Sequence, residues 1–507
     1  MTESRKNLKH FNAANAGPSL SQAERQSLKD TLMRMVILRA SRSGRRFIST
    51  PSLTKMLLRW FLAVLPLFLS SLSTHSFVHN PKVLMKRGMR NLSGDLAAAR
   101  DSGSTGNEGM LNPLLSTVEV SKTIEIHAMT KSMEARGEAV VSLCVGEPDF
   151  PPPAEVVEAT VQALREGHTR YTAVTGDAAL RQAICKDLEK RKGVRYAAEE
   201  IIVGNGAKQE VYQAVLALCR PGDEVIIPAP YWPSYPEIVK LAGATPIILE
   251  TTASSGFLLD PEALSQAVTP QTRMFIFCNP SNPTGAVHPP ELVDALGDVL
   301  KRRHAKHVWA LSDEIYERII YDTPHKSLAA VPGLRDRVLL INGFSKAYAM
   351  TGYRLGYLAG PSPVIKGCTT LQSQITSCAS SIAQKAGIAA LQLPATTMAP
   401  SVEIMRKKRD RVMSALGQIP RVACSVPQGA FYVLPDVSWY YHKKTPEGQI
   451  IRDGHELCMY LLKEYKVALV PGESFGAPTT IRISYATSEA DLDIALTRLA
   501  ECLASLT

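Results

Sequence analysis

Lys346 stands in Asn342-Gly343-Phe344-Ser345-Lys346, directly after the apolar run Val338–Ile341. A lysine so placed can attack an aldehyde once its amine is neutral, and a nearby cation and loss of solvent both favour that state. Eight residues on, Arg354 opens the next apolar run in Gly352-Tyr353-Arg354-Leu355-Gly356. Its forked donors suit a phosphate; a structural ion pair is the plainer alternative. In Leu311-Ser312-Asp313-Glu314-Ile315-Tyr316, Asp313 could pair with a protonated pyridine nitrogen, and Tyr316 could bond a phenolate oxygen of the same ring. Without such a ring Asp313 reads as a helix N-cap. Asn279-Pro280-Ser281-Asn282-Pro283-Thr284-Gly285 is either a tight turn or a rigid mount that offers Asn282 to a ring oxygen and a substrate carboxylate. Gly204-Asn205-Gly206-Ala207-Lys208 lies where a strand passes into a helix. Free amides there can bind phosphate, although the loop is not a Walker A motif. Arg482, within Thr480-Ile481-Arg482-Ile483-Ser484, interrupts an alternating strand and needs a partner, either a substrate carboxylate or an internal Asp or Glu.

These groups need a frame that brings them together. Val140–Val145, Ile201–Val203, Glu224–Ile227, Met274–Cys278, Val308–Leu311, Val338–Ile341 and Leu355–Ala359 read as strands, with helical patterns such as Ala207–Cys219 and Glu291–Arg303 between them. This alternation predicts an α/β fold with a mostly parallel sheet covered on both faces. Ligands in such sheets sit beyond the carboxyl ends of the strands, where Asn282, Asp313, Ser345 and Lys346 all fall. A further α+β segment over roughly 370–505 has strands at Ala430–Leu434, Val467–Val470 and Ile481–Tyr485.

The 507 residues are 45% hydrophobic and 21% charged, an ordinary globular composition long enough for two folded domains and an appendage. The net charge of +10 is concentrated at one end: residues 1–100 hold 17 Lys/Arg against 4 Asp/Glu, and the rest holds 40 against 43. A nearly neutral body argues against nucleic acid as a partner. Nine scattered cysteines without a CxxC pair suggest neither a disulfide framework nor a zinc site, so no metal is expected. Residues 1–110 read as a targeting leader. The apolar run Trp60–Leu69 follows Lys55 and Arg59 and is too short to span a bilayer, which needs about 20 residues. A basic, Ser/Ala-containing stretch follows, and Ser73-Thr74-His75-Ser76-Phe77-Val78 resembles the cleavage region of bipartite plastid leaders. Plastid import with removal of the leader is the expectation, mitochondrial or cytosolic residence the alternative; Met33, Met35 or Met56 could be the true start. No stable membrane insertion of the mature chain is expected.

Taken in order, Val145–Phe150, Arg170-Tyr171-Thr172, Asn205–Gln209, Pro230–Tyr235, the Asn-Pro-Thr-Gly loop, Ser312–Tyr316, Phe344-Ser345-Lys346 and Arg482 resemble the class I aminotransferases over essentially residues 112–505. The likeness is to the prokaryote-type aspartate aminotransferase branch, especially the plant-plastid enzymes that use both aspartate and prephenate. It implies pyridoxal 5'-phosphate as cofactor and the fold type I architecture, with a seven-stranded-type sheet. Lys346 would carry the cofactor as a Schiff base and move the α-proton. Asp313 would hold the pyridine nitrogen protonated, and Tyr316 and Asn282 would bond the ring oxygen. Trp232 would cover the ring, and Gly206, Ala207, Lys208, Ser345 and Arg354 would line the cofactor's phosphate end. Tyr171 would reach the phosphate of a second subunit in a homodimer with shared sites. Arg482 would bind the substrate α-carboxylate, with Gly146 permitting its close approach and Trp232 and Asn282 beside it. Thr123 and Lys208 occupy positions suited to the ring-borne carboxylate of prephenate.

The domain reading that follows is a segment 111–155 joining a small domain, a large cofactor domain at 156–395, and the small domain proper at 396–507. The implied reaction passes an amino group from L-aspartate or L-glutamate to 2-oxoglutarate or oxaloacetate, and from these donors to prephenate, giving L-arogenate. An aspartate aminotransferase without prephenate activity, a kynurenine-type aminotransferase and a C–S lyase are the alternatives on the same scaffold. Pro233, where valine is usual, adjoins Trp232 and could tilt its ring.

Overall fold

The computed structural model describes residues 112–119 and 122–507; within the first helix the side chain of Thr123 is not among what is described. The leader reading therefore lies outside the described residues, and so does the expectation for the Thr123 side chain. Among the described residues no helix is long and apolar enough to cross a membrane.

The strands in chain order are β1 (Val141–Ser142), β2 (Ile201–Gly204), β3 (Glu224–Ala229), β4 (Thr245–Glu250), β5 (Thr272–Cys278), β6 (Trp309–Asp313), β7 (Val338–Gly343), β8 (Gly356–Ala359), β9 (Tyr432–Val433), β10 (Val467–Ala468), β11 (Val470–Pro471) and β12 (Ile481–Ser484). Seven of them form one sheet in the order β2-β8-β7-β6-β5-β3-β4. The pairs from β7 to β4 are parallel, and β8 runs antiparallel to both its neighbours. Their side chains on both faces are buried because helices cover both. Phe275, Phe277, Ala310 and Leu340 belong to one apolar cluster, and Met274, Ile276, Leu311 and Ile341 to the other. Burial on both faces is why β5, β6 and β7 are continuous apolar runs rather than alternating ones.

Three readings change. Val141–Ser142 is not in the large sheet: it pairs in parallel with Val467–Ala468. The expected strand Val467–Val470 is two strands in different sheets, β10 beside β1 and β11 beside β12, with Leu469 between them in neither ladder. β4 was not foreseen. It is an edge strand whose side chains are exposed or half-buried, and Pro246 dilutes its apolar pattern.

A separate apolar cluster gathers Val141 and Leu143 with Met405, Val412, Phe431, Leu457, Ile483 and Leu499. The stretch after Glu138 therefore packs with the last hundred residues rather than with the large sheet. β11-β12-β9 form a three-stranded antiparallel sheet there, which carries Arg482 on β12 and Tyr432 on β9.

Candidate active site

The large sheet delivers its functional groups to one edge. β5, β6 and β7 end at Cys278, Asp313 and Gly343, just before Asn282, Ile315 and Lys346. β8 runs the opposite way, so Arg354, two residues before its start, lies at that same edge. Gly204 and Gly343 both face Gly356 in the pairing. A Cβ on Gly356 would collide with the backbone of Gly206 and Ala207, so glycine there lets the helix Ala207–Leu218 start flush against the sheet. The result is a cavity of about 720 Å³.

Asp313 lies at its floor, 4% exposed. One carboxylate oxygen accepts from Tyr235 Oη at 2.7 Å and the other from the Ile315 amide at 3.3 Å. No helix begins after Asp313, only a turn, so it caps that turn rather than a helix. No cation pairs with it among the described residues, and burial pushes its pKa up to about 6 against the pull of the Tyr235 hydrogen bond. The next residue is treated differently. Glu314 accepts from Ser312 Oγ, Ser327 Oγ and Lys192 Nζ at 2.8, 2.6 and 2.5 Å. Glu317 pairs with Lys192 and Arg191. This ionic cluster anchors the turn and keeps Glu314 and Glu317 out of the cavity lining, whereas Asp313 belongs to it, as does Glu147.

Lys346 Nζ donates to the Gly146 carbonyl at 2.6 Å. Desolvation brings its amine down to about 8; Arg354 and Arg482 add to the fall, while Glu147 and Asp313 oppose it. Arg482, 3% exposed, donates to the Cys144 carbonyl at 2.6 Å and to Asn282 Oδ1 at 3.1 Å. Its guanidinium stacks on Tyr432 and Phe475, 4.6 and 4.8 Å from the ring centres. Its Nε has no partner, and no carboxylate among the described residues pairs with it, so the internal salt bridge is not what holds it. One short backbone stretch, Cys144 to Gly146, thus anchors both the lysine and the arginine.

At the other end Arg354 donates to the Thr351 carbonyl at 2.9 Å and, weakly, to that of Asn205. It too lacks a carboxylate partner among the described residues, against the ion-pair alternative. Its Nη2 lies only 2.5 Å from where a Cβ on Gly206 would be, beside the first amides of the helix Ala207–Leu218, which have no partner within the helix. Ser345 is buried nearby. Lys208 holds its ammonium 4.9 Å over the Trp232 ring, and burial, followed by Arg354, lowers its pKa. Trp232 stands edge-on to Tyr235 at 5.2 Å. Pro233 precedes the helix Ser234–Leu241 and lines the cavity beside it.

The structure thus gathers Gly146, Ala207, Lys208, Trp232, Asn282, Asp313, Tyr316, Ser345, Lys346, Arg354 and Arg482 around one cavity, with Gly206 adjoining. Tyr171 is apart from it and 89% exposed. Two residues escaped the sequence reading. Tyr235 sits inside a quoted motif, but only the fold reveals that its hydroxyl meets Asp313. Tyr432 lies in the expected strand Ala430–Leu434 and was not singled out; its hydroxyl is 2.8 Å from Tyr316 Oη and fills the space a Cβ on Gly146 would need.

The unpaired groups fit pyridoxal phosphate. A protonated ring nitrogen would relieve the isolated Asp313 carboxylate, a phosphate would take Arg354 and the helix amides, and an aldehyde would meet a lysine poised to be neutral. Fold and site together describe an enzyme built around that cofactor, and the comparisons with known proteins agree. The model of the family "Aminotransferase class I and II" matches residues 138–499. The chain belongs to that family: it is a pyridoxal-phosphate-dependent aminotransferase of fold type I, acting on amino and keto acids.

Among its relatives, the bifunctional aspartate aminotransferase and glutamate/aspartate-prephenate aminotransferase of Petunia hybrida is 48% identical, over 78% of this chain and 83% of that protein. The aspartate/prephenate aminotransferase of Cereibacter sphaeroides is 43% identical, over 78% of this chain and 99% of its own. The solved aspartate aminotransferase of Rhizobium meliloti superposes with a TM-score of 0.75 at 42% identity, covering 78% of this chain and 99% of that one.

Proposed function

We propose that the chain transfers the amino group of L-aspartate or L-glutamate to 2-oxoglutarate or oxaloacetate, and also to prephenate to give L-arogenate. The observation that carries this is the cavity's charge pattern: two unpaired guanidinium groups, Arg354 and Arg482, with Lys346 and Asp313 in the same cavity. When bound there, pyridoxal phosphate supplies the electron sink that makes an amino-acid α-proton removable. The chain's own residues do the rest.

Arg354, Gly206, Ala207 and Ser345 hold the phosphate. Asp313 keeps the ring nitrogen protonated, Tyr235 holds Asp313 in place, Tyr316 and Asn282 face the ring oxygen, and Trp232 covers the ring. Arg482 binds the α-carboxylate in a charge-assisted fork. Because Gly146 and Cys144 tether Lys346 and Arg482 from one backbone stretch, the carboxylate and the base are set side by side. Lys346 Nζ then takes the proton from the substrate α-carbon.

Prephenate use is favoured by Lys208, whose ammonium borders the cavity, and by the position of Thr123 one residue before the cavity-lining Ile124. The experiment is arogenate formation by protein lacking residues 1–110, with aspartate as donor and prephenate or 2-oxoglutarate as acceptor. Turnover with both acceptors is expected. Turnover with 2-oxoglutarate alone would remove the prephenate part, and product formed without any keto acid would replace transamination with a lyase reaction. Lys346→Ala should abolish multiple turnover while the fold and cofactor binding persist.

The working form is read as a homodimer in which Tyr171, so exposed on its own chain, reaches the phosphate of a second subunit. Light scattering that gave a monomer at assay concentration would count against it. Residues 111–155 and 396–507 are read as the small domain around 156–395, in keeping with the apolar cluster they share. Residues 1–110 are read as a cleaved plastid leader; a fluorescent fusion of residues 56–110 that stayed in the cytosol would remove that reading.

A further inference from the structure

Tyr432 has no part in the roles above, yet it touches three groups that do. Its hydroxyl lies 2.8 Å from Tyr316 Oη, its ring supports the Arg482 guanidinium, and its hydroxyl caps Gly146. Both tyrosines are buried, and among the described residues neither hydroxyl has another hydrogen-bond partner. Tyr432 belongs to β9 of the three-stranded sheet, whereas Tyr316 lies in the turn after β6 of the seven-stranded sheet. One O–H···O bond therefore joins the two sheets inside the cavity.

Two hydroxyls share two protons and one mutual bond, so one proton is left over. If Tyr316 donated to Tyr432, it would have nothing to offer a ring oxygen. If Tyr432 donates, the Tyr316 proton is free to point into the cavity, and accepting a bond makes Tyr316 a stronger donor in turn. An electron-rich ring oxygen selects the second arrangement. We infer that Tyr432 is a positioning residue whose hydroxyl donates to Tyr316 Oη, aiming and strengthening the hydrogen bond from Tyr316 to the ring oxygen of the cofactor. This rests on the reading that Tyr316 faces that oxygen, and the test separates the two.

The holoenzymes to compare are wild type, Tyr432→Phe, Tyr316→Phe and the double variant. Phenylalanine keeps the ring that stacks on Arg482 and removes only the hydroxyl. The readout is the midpoint of the pH titration of the bound cofactor's visible absorption, which follows the proton on its linkage to Lys346. A donor on the ring oxygen withdraws negative charge that would otherwise hold that proton, so losing the donor raises the midpoint. Tyr316→Phe should raise it by about one pH unit or more. Tyr432→Phe should raise it by roughly 0.3 to 0.6, with kcat falling more than KM for aspartate changes. In the Tyr316→Phe background, Tyr432→Phe should add no further shift.

An equal shift in both backgrounds would mean that Tyr432 acts through packing, and would overturn the inference. No shift or a downward one in Tyr432→Phe, with Tyr316→Phe shifted, would overturn it while leaving the Tyr316 reading intact. An unshifted Tyr316→Phe would remove that reading and the inference with it.

Discussion

Replacing Asp313 with asparagine should stabilise the cofactor-free protein and cripple the loaded one. In the free protein the carboxyl has two neutral donors, Tyr235 Oη and the Ile315 amide, and burial raises its pKa from 3.8 to about 6. A carboxyl whose folded pKa is raised stabilises the fold only while protonated. Relative to an unperturbed group, stability is lost as pH rises from about 4 to 6 and stays lost above. The difference of about two pH units is worth roughly 3 kcal/mol. Asparagine keeps the shape and a hydrogen bond to Tyr235 without the charge. Asp313→Asn apoprotein should therefore gain up to roughly 3 kcal/mol over wild type at pH 8, and the gain should vanish near pH 4. Once a protonated ring nitrogen is present the sign reverses. Losing one partner of a buried charged pair costs roughly 3–5 kcal/mol, which is a fall of about 10² to 10⁴ in cofactor affinity, in the rate of the aspartate half-reaction, or divided between them. Urea unfolding of the apoprotein across pH 4–8 and single-turnover absorbance with aspartate measure the two halves. A stability change independent of pH, or a half-reaction within tenfold of wild type, would refute the picture of Asp313 as an isolated carboxylate awaiting a cation.

Other consequences are as direct. With the Lys346 amine at about 8, cofactor loading of the apoprotein should accelerate as pH rises from 7 to 9 with a midpoint near 8, followed by stopped-flow absorbance. Only the neutral amine attacks, so a rate that fell over this range would contradict it. Arg482→Gln should raise KM for aspartate and 2-oxoglutarate alike by about 10² or more and leave cofactor affinity within a few-fold, because it removes the charged partner of a carboxylate common to both substrates. Gly356→Ala should weaken cofactor binding by at least about tenfold, measured by fluorescence titration, since its methyl group would push Gly206 and Ala207 off the sheet edge.

Much of the site was legible in the sequence because each group sits beside a strong local signal. Asp313 ends one buried strand and Lys346 follows another, both of which read as apolar runs, Asn282 lies in a proline-rich loop, and Gly206 marks a strand-to-helix turn. What local signals leave open is which alternative holds for each charge. Arg354 and Arg482 could each have met an Asp or Glu, and Asp313 could have capped a helix. Those questions turn on neighbours far away in the chain, such as Asn205 for Arg354 and Cys144 for Arg482.

The sequence by itself determined the α/β class and the cluster of residues at the strand ends, because alternating buried strands and helices impose a periodicity that survives without coordinates; the family followed separately, from the resemblance of its ordered motifs. The tertiary structure alone decided that β8 runs antiparallel and so returns Arg354 to the functional edge, that β1 leaves the large sheet to pair with β10, and that Tyr235 and Tyr432 reach Asp313 and Tyr316. The physical reason is that strand direction, sheet membership and hydroxyl partners are set by packing between segments far apart in the chain, 338 residues in the case of the Arg482–Cys144 bond, and no local pattern encodes them.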